Sequence, residues 1–220
     1  MLYKILMVDD HPSQIDGYKA ILQYNTKNIE IETTTCFNCE EAYHIITNTS
    51  NPVRFDLVFL DRSLPPYLEK KIKSGEDLAL LSRKHWPETK IIMLTSHSEA
   101  FILYDIVHKV RPNGLLIKSD FDGDGLLEAF DAVVEGNTYY TETVRESIKE
   151  RLLSQGLLDS VDRQIITLIS EGLQIKTIAE TMNLSQDTIK KRKSKIKGLL
   201  GIDKGNDEDI LKECRHLRLI

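Results

Sequence analysis

The chain has 220 residues, 41% of them apolar and 29% charged, which is the composition of a water-exposed protein with room for one large domain or two small ones. No apolar run approaches the roughly 20 residues needed to span a bilayer, and the N-terminal MLYKILMVDD turns acidic too early for a signal peptide, so a cytoplasmic location is expected. The formal net charge of −5 is uneven: residues 157–220 hold 12 Lys+Arg against 10 Asp+Glu, which leaves 17 against 24 in residues 1–156. The mildly basic C-terminal part is the better fitted to a polyanion.

Short runs rich in Val, Ile and Leu at 4–8, 29–34, 57–60, 91–95 and 115–117 predict five strands. Helical spacing follows each, at 13–23, 40–48, 75–84, 99–110 and 125–135. The alternation predicts an α/β fold, a doubly wound parallel sheet of five strands covered by helices. In such a sheet ligands bind beyond the C-terminal strand ends, where Asp9, Asp10, Asp61, Thr95 and Lys118 stand. The first turn reads VDDHPSQ, with no glycine-rich loop, which argues against a dinucleotide or P-loop site. Clustered carboxylates raise one another's pKa unless a cation lies among them, and hard oxygen ligands suit Mg²⁺.

Two motifs have bland readings. Cys36 and Cys39 form a CxxC, but no second Cys/His pair stands at matching spacing, so ordinary thiols are expected rather than a metal or redox pair. The stretch DFDGDGLLEAFD, residues 120–131, has the acidic spacing of a calcium loop. It also begins two residues after Lys118 and runs into the fifth helix, so its acids are expected to sit at a helix N-terminus.

After Gly136 the alternation stops. Residues 141–156, TETVRESIKERLLSQG, read as part of a linker helix over 138–156, and only helical periodicity remains from 157. Asp159 or Ser160 is expected to cap a helix with Ile165, Ile166 and Ile169 inward, ended by Gly172. A short helix over 175–182 and a third capped by Ser185 follow. On the third, Ile189, Ile196, Leu199 and Leu200 form one stripe, and Lys190, Lys191, Lys193, Ser194, Lys195 and Lys197 are expected to face solvent as a cationic front for a DNA major groove.

The segments KILMVDDHP, FDLVFLDRSLP, IIMLTS and GLLIKS, in this order and spacing, resemble the receiver domain of two-component response regulators over residues 1–137. The segment SVDRQIITLISEGLQIKTIAETMNLSQDTIKKRKSKIKGLLGI resembles a LuxR/NarL-type helix-turn-helix, the domain extending over 157–220. The resemblance implies that Asp61 is the phosphoacceptor for a sensor histidine kinase. It further implies that Asp9, Asp10, Asp61 and the carbonyl of Ser63 hold Mg²⁺, that Thr95 binds the phosphoryl oxygens, and that Lys118 supplies a positive charge. A homodimer bound to double-stranded DNA and acting in transcription, not an enzyme, is the implied function, with Lys190, Lys191 and Ser194 nearest the bases.

Four departures stand beside that resemblance: Leu115 takes the place of the usual aromatic residue three before the lysine, and the loop between Pro65 and Gly75 is about six residues longer than usual. Thr177 replaces the usual glutamate and Arg192 the usual histidine. Two rival functions are a DNA-binding regulator that needs no phosphorylation, its first domain a dimerisation scaffold, and a Mg²⁺-dependent phosphohydrolase with Asp61 as nucleophile.

Overall fold

A computed structural model describes residues 2–49, 53–202 and 204–220. The chain divides into two units, residues 1–98 with 109–144, and residues 99–108 with 145–220. Among the described residues no helix is long and apolar enough to cross a membrane.

The first unit is built on a parallel sheet. Its strands are β1 (Leu2–Val8), β2 (Glu30–Cys36), β3 (Leu57–Asp61), β4 (Lys90–Thr95), β5 (Gly114–Ile117) and β6 (Tyr139–Tyr140), in the order β2-β1-β3-β4-β5-β6. The connecting helices are α1 (Pro12–Leu22), α2 (Cys39–Ile46), α3 (Gly75–His85), α4 (Ala100–Val110), most of which is counted with the second unit, and α5 (Gly123–Val134). The order of the first five strands is that of flavodoxin-like doubly wound sheets. β1, β3, β4 and β5 are buried along nearly their whole length because helices cover both faces, which is why they read as continuous apolar runs. A core of Ile5, Met7, Leu57, Phe59, Ile92, Leu94 and Leu116 packs with Ile15 and Leu22 of α1 and Leu126, Phe130 and Val133 of α5.

Among the described residues the sheet has six strands, not five. Tyr139 and Tyr140 pair in parallel with Gly114 and Leu115, inside the stretch expected to be linker. Two residues are too short to show a period, and the pairing depends on a partner more than twenty residues away.

The second unit is helical. After α6 (Glu142–Ser154), whose first three residues fall in the first unit, come α7 (Ser160–Ser170), α8 (Ile175–Thr181), α9 (Gln186–Leu199) and α10 (Asp207–His216). Asp159 caps α7 in a reciprocal box with Asp162, and Ser185 caps α9 by accepting from the Thr188 amide. Gly172 takes φ +80° in the turn between α7 and α8, a conformation that only glycine adopts without strain. Ile165, Ile166, Ile169, Ile178, Ile189, Ile196 and Ile210 are buried, so each helix turns one apolar stripe inward.

Candidate functional site

The ends of β1 and β3 and the residue after β5 bring Asp9, Asp61 and Lys118 together. Asp9 and Asp61 are only 2% and 3% exposed. Lys118 Nζ donates to Asp9 Oδ2 at 2.8 Å and lies 3.1 Å from Asp61 Oδ2. Asp10 joins from the turn, so ligand atoms of Asp9, Asp10, His11 and Asp61 lie within 4.8 Å of one another. Two carboxylates therefore share one ammonium, and a third lies beside them.

Burial is the main reason that the Asp61 carboxyl stands above its ordinary range; Lys118 and the Ser63 backbone N–H pull it down, and Asp9 pushes it up. Burial works against the Lys118 charge, but hydrogen bonds to Asp9 and Asp61 and their negative charge outweigh it and hold the ammonium above its usual range. The oxygen-rich donor set and the excess of negative charge fit a hard divalent cation such as Mg²⁺. Thr95, fully buried at the end of β4, accepts from the His97 amide at 3.0 Å through its hydroxyl. Ser63 is exposed two residues beyond Asp61.

Gly75 fixes where Asp61 sits. A Cβ at this first residue of α3 would lie 2.0 Å from the Asp61 carbonyl oxygen, and the Gly75 amide donates to the Arg62 carbonyl at 3.0 Å. Only a residue without a side chain lets the helix start so close to the strand end.

Two neighbours were missed from the sequence. The His11 Nδ1 lies 2.8 Å from Asp10 and 3.1 Å from Asp9, and its position directly after the acidic pair was the available signal. Tyr18, nearly two turns into α1, has its phenol pushed up by burial and by the fields of Asp9 and Asp61. Nothing in the sequence marks it.

The long loop is folded. Tyr67 and Ile72 form an antiparallel bridge around a short 3-10 turn at Leu68–Lys70, and Tyr67 packs edge-on against Tyr43 of α2 at 5.5 Å. Leu115, in register with Tyr140, is fully buried. Burial pushes the Cys36 thiol up to about 12 and Cys39 up to about 11, which keeps both protonated and unreactive. In the 120–131 stretch three of the four acids at calcium-loop positions make other contacts. Asp120 accepts from the Thr143 amide and hydroxyl, Asp122 caps α5, and Asp131, two turns along, accepts from Thr26.

On α9, Lys190, Lys191 and Ser194 are exposed. Together with Lys197, Ile175 and Ile202, Lys190 and Ser194 line an open cavity of about 470 Å³. Lys193 corrects the expected front: it is 8% exposed and pairs with Asp207 at 2.5 Å. It lies on the same helical line as Ile189, Ile196 and Leu200, so its stem packs inward and only its end reaches a carboxylate. Lys195 is half exposed, but its ammonium is 2.6 Å from Asp162 of α7.

Residues 5–131, more than half the chain, match the family described as the response regulator receiver domain. The transcriptional regulatory protein MctR of Rhizobium johnstonii is 27% identical over 202 residues, covering 90% of this chain and 87% of that protein. The oxygen regulatory protein NreC of Staphylococcus epidermidis is 27% identical over 209 residues, covering 88% of each. Among solved structures, RcsB aligns as two dimers bound to two parallel DNAs with TM-score 0.57 and 23% identity, covering 98% of this chain and 99% of that one. RcsB of Salmonella enterica serovar Typhimurium, bound to the promoter rprA in the presence of BeF3⁻, aligns with TM-score 0.55 and 21% identity over 98% and 99%. With the receiver-family match over more than half of the chain and relatives of this kind along nearly all of it, the chain belongs to the response regulator receiver family as a two-component regulator of LuxR/NarL type.

Proposed function

We propose that Asp61 accepts a phosphoryl group from a histidine kinase partner and that this controls binding of α9 to double-stranded DNA, and so transcription. The observation that carries the reading is the Lys118 ammonium bridging Asp9 and Asp61 in a notch with excess negative charge. Asp61 Oδ attacks phosphorus, the phosphorus–nitrogen bond of the phosphohistidine breaks, and the imidazole leaves with a proton. In this reading Lys118 supplies a cation to one phosphoryl oxygen and the Thr95 hydroxyl, at the next strand end, donates to another. Mg²⁺, held by Asp9, Asp10, Asp61 and the Ser63 carbonyl, would supply the remaining neutralisation of charge. The chain is then a regulator that is itself the phosphoryl acceptor, not an enzyme with turnover.

The added charge favours one member of a pre-existing pair of states, the one competent to bind DNA as a homodimer on two half-sites. On α9, Lys190, Lys191 and Ser194 are nearest the bases, with Lys197 beside them. The test is incubation with Mg²⁺ and a small phosphodonor such as acetyl phosphate, with Asp61→Asn as comparison. A slower band on a phosphate-affinity gel for the wild type alone is expected, and identical mobility overturns the phosphorylation reading. DNA binding with and without phosphodonor, at two salt concentrations, tests the second half: no gain on phosphorylation would favour the scaffold reading, to which the buried Leu115 at the aromatic place lends weight.

A further inference from the structure

The basic run of α9 is divided by what its side chains touch. Arg192 Nη1 lies 2.9 Å from Asp162 Oδ1 and 2.5 Å from Asp159 Oδ2. Lys195, one turn along on the same face, reaches Asp162 Oδ2 at 2.6 Å and Asp159 Oδ2 at 3.8 Å. The Asp162 side chain is fully buried, and its Oδ2 also accepts from the Asp159 amide at 3.3 Å. Asp159 in turn accepts from the Asp162 amide at 2.9 Å, so the two cations of α9 close onto the capping box that starts α7.

We infer that Arg192 and Lys195 are positioning residues that clamp α9 to the N-terminus of α7 through Asp159 and Asp162, and do not neutralise DNA phosphates. The inference rests on the DNA-binding reading above. A phosphate could recruit Arg192 or Lys195 only by drawing one of two cations from a carboxylate that has no access to water, and stripping compensation from a buried charge is costly. Hydrogen bonds from Arg192 and the Asp162 amide already hold the Asp159 carboxyl down at about 2. The clamp fixes the rotation of α9 about its own axis, and with it the direction in which Lys190, Lys191 and Ser194 point. Without it α9 samples several orientations, and apparent affinity falls with the fraction that is competent. Arg192, which departs from the family's usual histidine, is thereby given a role that a single ring nitrogen could fill only in part, since a guanidinium can meet two carboxylates at once.

The test separates a clamp from a phosphate-binding cation. Full-length wild type, Lys191→Gln, Arg192→Gln, Lys195→Gln and Asp162→Asn are titrated against a random-sequence duplex and against a duplex selected from that library by the wild type, over a range of salt. Each phosphate that is no longer neutralised lowers the slope of log affinity against log salt by about 0.9 per bound protomer. Lys191→Gln should show that shallower slope and weaken both duplexes alike. Arg192→Gln and Lys195→Gln should keep the wild-type slope and weaken the selected duplex about tenfold more than the random one. Asp162→Asn gives the sharpest contrast: removing an acid should tighten binding to a polyanion by charge alone, whereas loss of the clamp weakens the selected duplex. Because the Lys195 head is half exposed, Lys195→Gln is the variant expected to keep its fold, and a thermal melt checks it. A slope in Arg192→Gln or Lys195→Gln as shallow as that of Lys191→Gln, or tighter selected binding by folded Asp162→Asn, overturns the inference. A wild type that binds neither duplex overturns the DNA reading, and the inference with it.

Discussion

Replacing Lys118 with methionine keeps the length of the side chain and removes its charge, which isolates what the ammonium does. In the wild type, the Lys118 side chain is 13% exposed and holds two carboxylates whose side chains are 3% and 5% exposed, at 2.8 and 3.1 Å. Removing one partner of a buried pair costs about 3–5 kcal/mol, because the remaining charge is left without compensation. Here two charges are left, but Asp10 is a third exposed and the notch opens to solvent on that side, so the low end, about 3 kcal/mol, is expected. At about 2–4 °C per kcal/mol, thermal unfolding of the sheet unit in EDTA should fall by about 6–12 °C. Millimolar Mg²⁺ should restore more stability to Lys118→Met than it adds to the wild type, because a cation then fills a larger deficit of charge. Adding Asp61→Asn to Lys118→Met should recover part of the loss, since one of the stranded carboxylates is gone. Lys118→Met melting within about 2 °C of wild type in EDTA, or a double variant no more stable than the single one, would refute the claim that Lys118 neutralises this notch.

Burial is the main cause holding the Asp61 carboxyl above its ordinary 3.8, so from that value upward the folded state keeps a proton that the unfolded state has lost. Stability in EDTA should therefore decline as pH rises from 3.8 through the folded value, and Asp61→Asn should flatten this decline; parallel urea-midpoint profiles would count against it. Gly75→Ala places a Cβ 2.0 Å from a backbone oxygen that cannot swing away, so a loss of about 2–3 kcal/mol and slower labelling of Asp61 by acetyl phosphate are expected, read by urea unfolding and by gel. Asp159→Ala removes the cap of α7 and should cost the helical unit about 1 kcal/mol near neutral pH. Hydrogen bonds from Arg192 and the Asp162 amide depress the Asp159 carboxyl to about 2, so its contribution is present above 3.8 and lost as pH falls through about 2; the difference between wild type and variant should narrow over that interval in melts followed by circular dichroism.

The strands that carry the acidic site could be read because burial on both faces writes itself as unbroken Val, Ile and Leu, and because a parallel sheet delivers every strand end to one edge. That logic put Asp9, Asp61, Thr95 and Lys118 at one edge of the sheet without any knowledge of the distances between them. It could not find Tyr18, whose nearness to Asp9 and Asp61 depends on how α1 is seated, or β6, which is two residues long. Lys193 is a different kind of failure. Its spacing from Ile189, Ile196 and Leu200 put it on the inward stripe, and that information was present in the sequence. Composition outweighed period: a lysine in a run of lysines was assigned to solvent, although a long stem can pack while its head finds a carboxylate such as Asp207.

The two charged regions also show why a count of charges is a poor guide to what a surface offers. By count, residues 157–220 are nearly balanced, with 12 basic against 10 acidic residues, and residues 1–156 are acidic. In the folded chain the C-terminal cations are partly consumed: Arg192 and Lys195 close on Asp159 and Asp162, Lys193 closes on Asp207, and Lys197 donates to the Gly205 carbonyl. The acidic notch behaves in the opposite way, since Asp9 and Asp61 share one ammonium and Asp10, which meets the His11 ring, adds a third carboxylate beside them. Ion pairs that satisfy one another build shape, while charge left without a partner is free to recruit a ligand. The chemistry of this chain is thus expected where pairing is incomplete or loose, at the notch for a cation and a phosphoryl group, and on α9 for a polyanion at exposed Lys191 and at Lys190, whose pair with Asp187 is solvent-exposed and 3.8 Å long. A substitution that neutralises a paired charge should change geometry first, and one that neutralises an unpaired charge should change affinity first.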